Sequence, residues 1–160
     1  MSAPTVRRAT PGDAVELARL RWDFRVEHGT PVTRDFHEFV EEFRAFAADT
    51  LADGSEWRAW LAEQGGRAVG CLWIRFIEKV PHPSRRRRER SMIYVTNVYV
   101  EPALRNCGTG GELMDAALAH ARAEGVAEAI VWPTERSIPF YERAGFGTER
   151  APLLLDLKGD

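Results

Sequence analysis

Apolar positions along the chain switch between two periods, and the switches mark its elements. "TVRRAT" (5–10) reads as a short strand ended by "PGD". From Asp13, apolar Leu17, Leu20 and Phe24 return at helical spacing, and "EHGTPV" (27–32) breaks the pattern. Phe36, Phe39, Val40, Phe43, Phe46, Ala47 and Leu51 then trace one face of a second helix, with Asp35 and Glu38 forming a capping box at its start. That aromatic stripe is expected to face the core, with a pocket lining as the alternative. Trp57, Ala59 and Leu61 alternate with polar residues in "WRAWLAE", and "QGGR" turns that strand into a longer one, "AVGCLWIRFIEKV". "MIYVTNVYVEP" (92–102) is apolar on both faces, as a central strand would be. Leu113, Met114, Ala117, Leu118 and Ala121 define a helix stopped by Gly125. "AEAIVWP" predicts a short strand, "SIPFYERAG" a short helix and "LLLDL" (153–157) a last strand.

The resulting order is β-α-α-β-β-β-α-β-α-β, an α/β (α+β) domain with a mixed, mostly antiparallel sheet of about six to seven strands and helices on both faces. The 160 residues suit a single domain, 1–160, and contain no repeat and no dividing linker. Composition changes this picture little. With 44% hydrophobic and 29% charged residues the chain reads as soluble and globular, and its net charge of −2 gives no field to recruit nucleic acid or an anionic membrane. No apolar run approaches the ~20 residues of a membrane span, and the N-terminus lacks a signal-peptide core, so a cytoplasmic protein is expected. Two cysteines, Cys71 and Cys107, match no disulfide framework or metal spacing, and no metal is expected.

The densest chemical signal is "LRNCGTGGEL" (104–113), between a strand pattern and a helix pattern. A dinucleotide fingerprint G-x-G-x-x-G would need a glycine where Leu113 stands. A P-loop would need Lys-Ser/Thr after its last glycine, where Glu112 stands. What remains is R-x-x-G-x-G, from Arg105 to Gly110, opening a helix. Glycines without Cβ let successive N–H groups face one concavity, and the first helical turn adds the positive end of the macrodipole. An anion cradle fits this spacing better than a plain turn, which needs fewer glycines.

"VYVEPALRNCGTGGELMDAAL" resembles the acetyl-CoA-binding segment of the GNAT N-acetyltransferase superfamily, V-x-P-x-x-[RQ]-x-x-G-x-[GA], at Val100, Pro102, Arg105, Gly108 and Gly110. "SIPFYERAGF" resembles a second family segment through Phe140, Tyr141, Gly145 and Phe146, with Ser137 in an alanine place. Cys107 departs from the glycine or basic residue common there, and Thr134 stands where an asparagine often contacts the cofactor.

The resemblance implies direct acetyl transfer from acetyl-CoA, a cosubstrate, to a primary amine in a ternary complex. Asn106, Cys107, Gly108, Thr109, Gly110 and Gly111 would hold the pyrophosphate through backbone N–H groups, with Arg105 at the rim. The strand edge at Val98, Tyr99 and Val100 would pair with the pantetheine arm, and Thr134, Ser137 and Phe140 would complete the cofactor side. An N–H near Val98 would stabilise the oxyanion, and Tyr141 would protonate the leaving thiolate. Trp22, Glu27, His28 and Asn97 would line the acceptor side. The base stays open between a water held by Asn97 or Thr96, Glu27 or His28, and Glu78. The acceptor is a small-molecule or peptide amine, and a homodimer is possible. The alternative is a non-catalytic acyl-CoA-binding or regulatory module. "SRRRRER" (84–90), with Arg85–Arg90 dominated by arginine, is read as a solvated loop rather than a nucleic-acid site, since acidic neighbours offset it and no aromatic platform accompanies it.

Overall fold

The computed structural model describes residues 3–148, 152–155 and 157. Five strands form one sheet in the order β1-β2-β3-β4-β5: β1 (Thr5–Arg8), β2 (Trp57–Gln64), β3 (Arg67–Ile77), β4 (Met92–Val100) and β5 (Glu128–Val131). All neighbours are antiparallel except β4 and β5, which run parallel and are joined by a helix. The helices are α1 (Ala14–Glu27), α2 (Phe36–Thr50), α3 (Thr109–Ala123) and α4 (Ile138–Arg143). The expected α+β arrangement is present, with five strands among the described residues instead of six to seven. Leu153–Leu155 of the expected last strand form no ladder and expose their side chains, while Asp156 lies outside the described residues. An apolar run becomes a strand only where a sheet edge accepts its hydrogen bonds.

Strand alternation sends side chains into two cores. Ala59, Leu61, Cys71 and Trp73 pack with α1 and α2 through Leu17, Leu20, Val40 and Phe43. Trp60, Leu72, Ile74 and Phe76 face the other way and meet Leu113, Met114, Ala117 and Tyr141 of α3 and α4. The α2 stripe is core-facing at Val40, Phe43 and Ala47, and its Phe36 and Phe39 extend it to Trp22 on α1 at 5.2 and 5.5 Å between ring centroids. The Asp35 half of the capping box forms, with its carboxylate accepting from His37 and Glu38 N–H groups. At the β2–β3 hairpin, Gly65 and Gly66 both adopt positive φ, 61° and 78°, which the tight turn requires.

Two local devices position the site. The first is a bulge in β4. Cys71 pairs with Tyr99 but Trp73 pairs with Thr96, so Asn97 and Val98 share the place opposite Leu72. Asn97 takes φ 50°, a left-handed conformation that asparagine tolerates better than most residues. The extra residue inverts the alternation: Ile93 and Val95 face α3, whereas Tyr99 faces α1. The second is a set of glycine-terminated helix ends. After α4, Gly145 N–H donates to Glu142 O and Phe146 N–H to Tyr141 O, while the Phe146 ring packs on Tyr141 at 5.6 Å. The "FYERAGF" string thus closes its own helix and fixes the tyrosine. The same pattern ends α1 at Gly29 and α3 at Gly125.

At the entry to α1, the Asp13 carboxylate accepts from Arg7 at 2.7 Å and from the Thr10 N–H at 2.7 Å. The Arg7 hydrogen bonds hold its pKa down at about 2. A depressed carboxylate stabilises the fold above its unfolded value, ~3.9, and that contribution is lost as pH falls through its folded value. Asp13→Asn is therefore expected to lower stability by about 1–2 kcal/mol at pH 7, after allowing for the solvent-facing Arg7 partner. Urea melts of both proteins should converge between about pH 4 and about pH 2. A gap that stays constant with pH would remove the charge from this account.

Candidate active site

The β4–β5 ladder runs from Met92↔Glu128 to Val95↔Val131 and stops there. Beyond it, Thr96–Val100 of β4 still pairs with β3 but has no strand on its other side among the described residues. The bulge lies at the point of separation, so bend and gap coincide. Alternate residues of a strand turn their N–H and C=O groups to opposite edges, so only some of those of Val98, Tyr99 and Val100 can face the gap, and Val100 O already accepts from Arg105 Nε at 2.8 Å.

At the end of the gap the chain enters α3 through the glycine loop. Gly108 is the N-cap residue, with φ 92°. Asn106 also has positive φ, 60°. These two left-handed residues turn the intervening N–H groups to one side. From Asn106 to Gly111 the backbone N–H groups have no partner among the described residues, and the first closing bond of α3 is Glu112 N–H to Gly108 O. Nothing lies within 4 Å of where a Cβ would stand on Gly108 or Gly111, so this face is bare backbone. Gly110 is different: a Cβ there would sit 3.2 Å from the Phe140 ring. It lets α4 approach α3, joining the two sequence segments in one site. Thr109 Oγ1 is buried and unpartnered at the same helix start. Orphan N–H groups, an orphan hydroxyl and a helix N-terminus suit a pyrophosphate.

Arg105 departs from the expectation of a free side chain at the rim. Its Nε donates to Val100 O at 2.8 Å, and Nη1 and Nη2 both donate to the Glu27 carboxylate at 2.6 Å. Its guanidinium also lies 5.5 Å from the centre of the Tyr99 ring. The residue is a strut between the ends of β4 and α1.

Tyr141 is buried, with its ring between Phe140 and Phe146. Burial, reinforced by Tyr94 on β4, pushes the phenol up to about 12, so it stays protonated and able to donate at neutral pH. Tyr94 pairs with Ile130 one residue before the ladder ends. Thr134 and Ser137 bind each other: Thr134 Oγ1 donates to Ser137 Oγ at 3.1 Å, and Ser137 Oγ donates to Thr134 O at 2.9 Å. These bonds brace the turn that leads into α4, and neither side chain caps a helix N–H.

The acetyltransferase (GNAT) family model matches residues 16–146. This chain belongs to that family. A curated relative, the glucosamine 6-phosphate N-acetyltransferase of Trypanosoma brucei brucei, is 32% identical over 92 residues, 58% of this chain. The chain spans 59% of that relative's length. Among solved structures, a GCN5-related N-acetyltransferase from Ralstonia eutropha is 28% identical, with TM-score 0.75 and coverage of 98% of this chain and 99% of that one. A protein described as a predicted acetyltransferase with acetyl-CoA, from Clostridium acetobutylicum, shares the fold at TM-score 0.80 and 22% identity, over 97% of each chain.

A cleft of ≈ 230 Å³ lies at the α1–α2 break, lined by Arg21, Trp22, Arg25, Pro31 and Phe39 among others. Asn97, on the bulge, touches one of its lining residues: its Oδ1 accepts from Arg21 at 3.1 Å, and its Nδ2 lies 3.7 Å from Cys71 Sγ. Two of the base candidates are already engaged. Glu27 is held by Arg105, which lowers its pKa, and Glu78 by Arg87 and Arg90, which lower its own. A carboxylate kept charged by an arginine fork is a poor proton acceptor. His28 uses Nδ1 on Phe24 O at 2.8 Å and leans on the Phe24 ring. Burial raises the Cys71 thiol to about 12, which fits a packing role.

The arginine run is largely structural. Arg87 and Arg88 bind Glu56, Arg87 and Arg90 bind Glu78, and Arg88 also reaches Glu124 and lies 4.4 Å from the centre of the Phe76 ring. It ties the β3–β4 connection to the sheet and to α3. Sequence reasoning missed Arg21 and Gly70 at this site. Gly70, a glycine inside a strand, carried a legible signal of close backbone approach; Arg21, one arginine on a helix face, carried none. No helix among the described residues is long and apolar enough to cross a membrane.

Proposed function

We propose that this chain is an acetyl-CoA-dependent N-acetyltransferase that acetylates a primary amine directly, with both substrates bound together. The observation that carries this reading is a juxtaposition. The N–H groups from Asn106 to Gly111, unpartnered among the described residues, follow the β4 segment past Val95, and protonated Tyr141 packs in one cluster with Val98, Val100 and Phe140. The name of the Trypanosoma relative supports an amine acceptor, without carrying over its particular sugar.

Acetyl-CoA would supply an acyl thioester whose C–S bond breaks as the C–N bond to the amine forms. The loop N–H groups and the α3 N-terminus bind the negative charge of the pyrophosphate. The β4 edge orients the arm, and an N–H at the bulge, near Val98, stabilises negative charge on the carbonyl oxygen. Tyr141 gives its proton to the leaving thiolate and is reprotonated from solvent. An incoming ammonium loses one proton before attack and a second afterwards, so the net release is one proton per turnover. With Glu27 and Glu78 engaged by arginines, a water at Asn97 is the favoured acceptor of the first. Arg21 and Arg25 help, because nearby positive charge lowers the pKa of an ammonium.

The test is thiol release from acetyl-CoA over a panel of primary amines, beside calorimetric titration with CoA. Amine-dependent release with mass shift of the amine by one acetyl group is expected. Tight CoA binding with no release on any amine would favour the binding-module alternative.

A further inference from the structure

Arg21 and Arg25 stand one helical turn apart on α1, and both line the cleft at the α1–α2 break. Arg21 is half-buried and held on two sides. Its Nη1 donates to Asn97 Oδ1 at 3.1 Å, and its guanidinium carbon lies 5.6 Å from the centre of the Phe24 ring. Among the described residues no carboxylate pairs with either arginine. Their neighbours are treated differently. Arg19 binds Glu16, Asp23 and Glu101; Arg34, in the same cleft, binds Glu42; Arg105 binds Glu27. The fold thus neutralises the arginines around this pair and leaves these two without a counter-charge.

That arrangement is costly as it stands. Burial first, and Arg25 second, disfavour the Arg21 charge, with only Cys71 and Tyr94 acting the other way. A partly desolvated guanidinium beside a second cation, with one neutral hydrogen bond, has unused donors aimed into a cleft. One wall is aromatic, formed by Trp22 and Phe39, whose ring centroids lie 5.5 Å apart. The volume, ≈ 230 Å³, suits a compact molecule of amino-acid or monosaccharide size. The Asn97 hydrogen bond ties Arg21 to the β4 bulge, the point at which the amine must arrive.

We propose that the amine acceptor carries an anionic group, a carboxylate or a phosphate, which pairs with Arg21 and Arg25 while its amine faces the β4 bulge. This rests on the acyl-transfer reading above. Arg21 presents its fork from a fixed position, and Arg25, exposed at the mouth, draws the anion in. One ligand group thereby supplies the missing counter-charge and orients the nucleophile.

The experiment uses matched acceptors that differ in one charge: α-amino acids against their primary amides, and amino sugars against their phosphomonoesters. Thiol release is followed at saturating acetyl-CoA. The anionic member of at least one series is expected to have kcat/KM at least about tenfold above its neutral partner, the range of a charge-assisted contact. The series that shows the preference separates carboxylate from phosphate. Arg21→Met and Arg25→Gln should each bring the ratio towards one through the acceptor KM, with the acetyl-CoA KM unchanged. Arg25→Lys should restore part of it, and since Arg25 is exposed its variants test the idea even if Arg21→Met fails to fold. Equal or better use of neutral partners, or a ratio unmoved by the Arg25 variants, overturns the proposal while acyl transfer stands. Absence of release with every member, CoA still binding, overturns acyl transfer and this proposal together.

Discussion

Tyr141→Phe is expected to lower turnover about 100-fold while the acetyl-CoA KM stays within about twofold. The substitution removes one hydroxyl and keeps the ring that packs between Phe140 and Phe146, so the melting temperature should hardly move. The size follows from the chemistry. A thiolate that leaves without a proton is a strong nucleophile able to return, and a positioned acid typically contributes 10²–10⁴-fold. The pH profile gives a second readout. Burial disfavours the phenolate and raises the phenol to about 12, so the acid form persists through the working range. No alkaline decline from this residue is expected below about pH 10. Unchanged turnover in the phenylalanine variant would take the acid role away from Tyr141.

The other large effect is structural and lies in the centre of the sheet. A Cβ on Gly70 would stand 2.9 Å from Tyr99 O, 3.2 Å from Val100 Cγ2 and 3.4 Å from Leu113 Cδ1. The Tyr99 carbonyl belongs to the β4 backbone just after the bulge and cannot swing aside as a side chain could. Gly70→Ala is expected to cost about 2 kcal/mol, and Gly70→Val about 3 kcal/mol or more, in urea or thermal unfolding. Folded Gly70→Ala should also bind acetyl-CoA more weakly, because relief of the clash moves Tyr99 and Val100, the edge proposed to hold the arm. Gly66→Asn is the control: its position is open, and asparagine tolerates the left-handed turn. A control as damaging as Gly70→Ala would mean that losing a glycine's conformational freedom, rather than the close contact at Gly70, sets the cost.

Both predictions concern residues whose role could be partly read before the fold. Tyr141 stands in a string, "FYERAGF", whose glycine and final phenylalanine are the parts of a helix stop. That string is local, since every hydrogen bond in it spans a few residues, and local order is legible in sequence. The glycine loop was legible for the same reason: its left-handed residues and free N–H groups depend on which side chains are missing. Arg105 was read from the same string and behaves differently, because its partner Glu27 is remote in the chain and close only in space. The arginine run follows the same rule. Its composition suggested a solvated loop, and three of its arginines, Arg87, Arg88 and Arg90, also reach Glu56, Glu78 and Glu124, which flank β2, β3 and α3.

The sequence by itself determined the periods of the helices and strands, the glycines that end them, and the bare loop at the start of α3. These are properties of a few consecutive residues, fixed by sterics and backbone hydrogen bonding. Only the tertiary structure decided which charges were left over. Arg19, Arg21, Arg25 and Arg105 are the same residue type, yet two are neutralised and two face a cleft, because an ion pair is set by distance in space and burial rather than by position in the chain. Tertiary structure also decided the gap itself. The β4 pattern fits a fully paired central strand, but with the bulge at Asn97 and the end of the ladder at Val95↔Val131 about half of one edge has no partner strand among the described residues. Strand pairing is a contract between two segments, and one segment's sequence cannot state where its partner turns away.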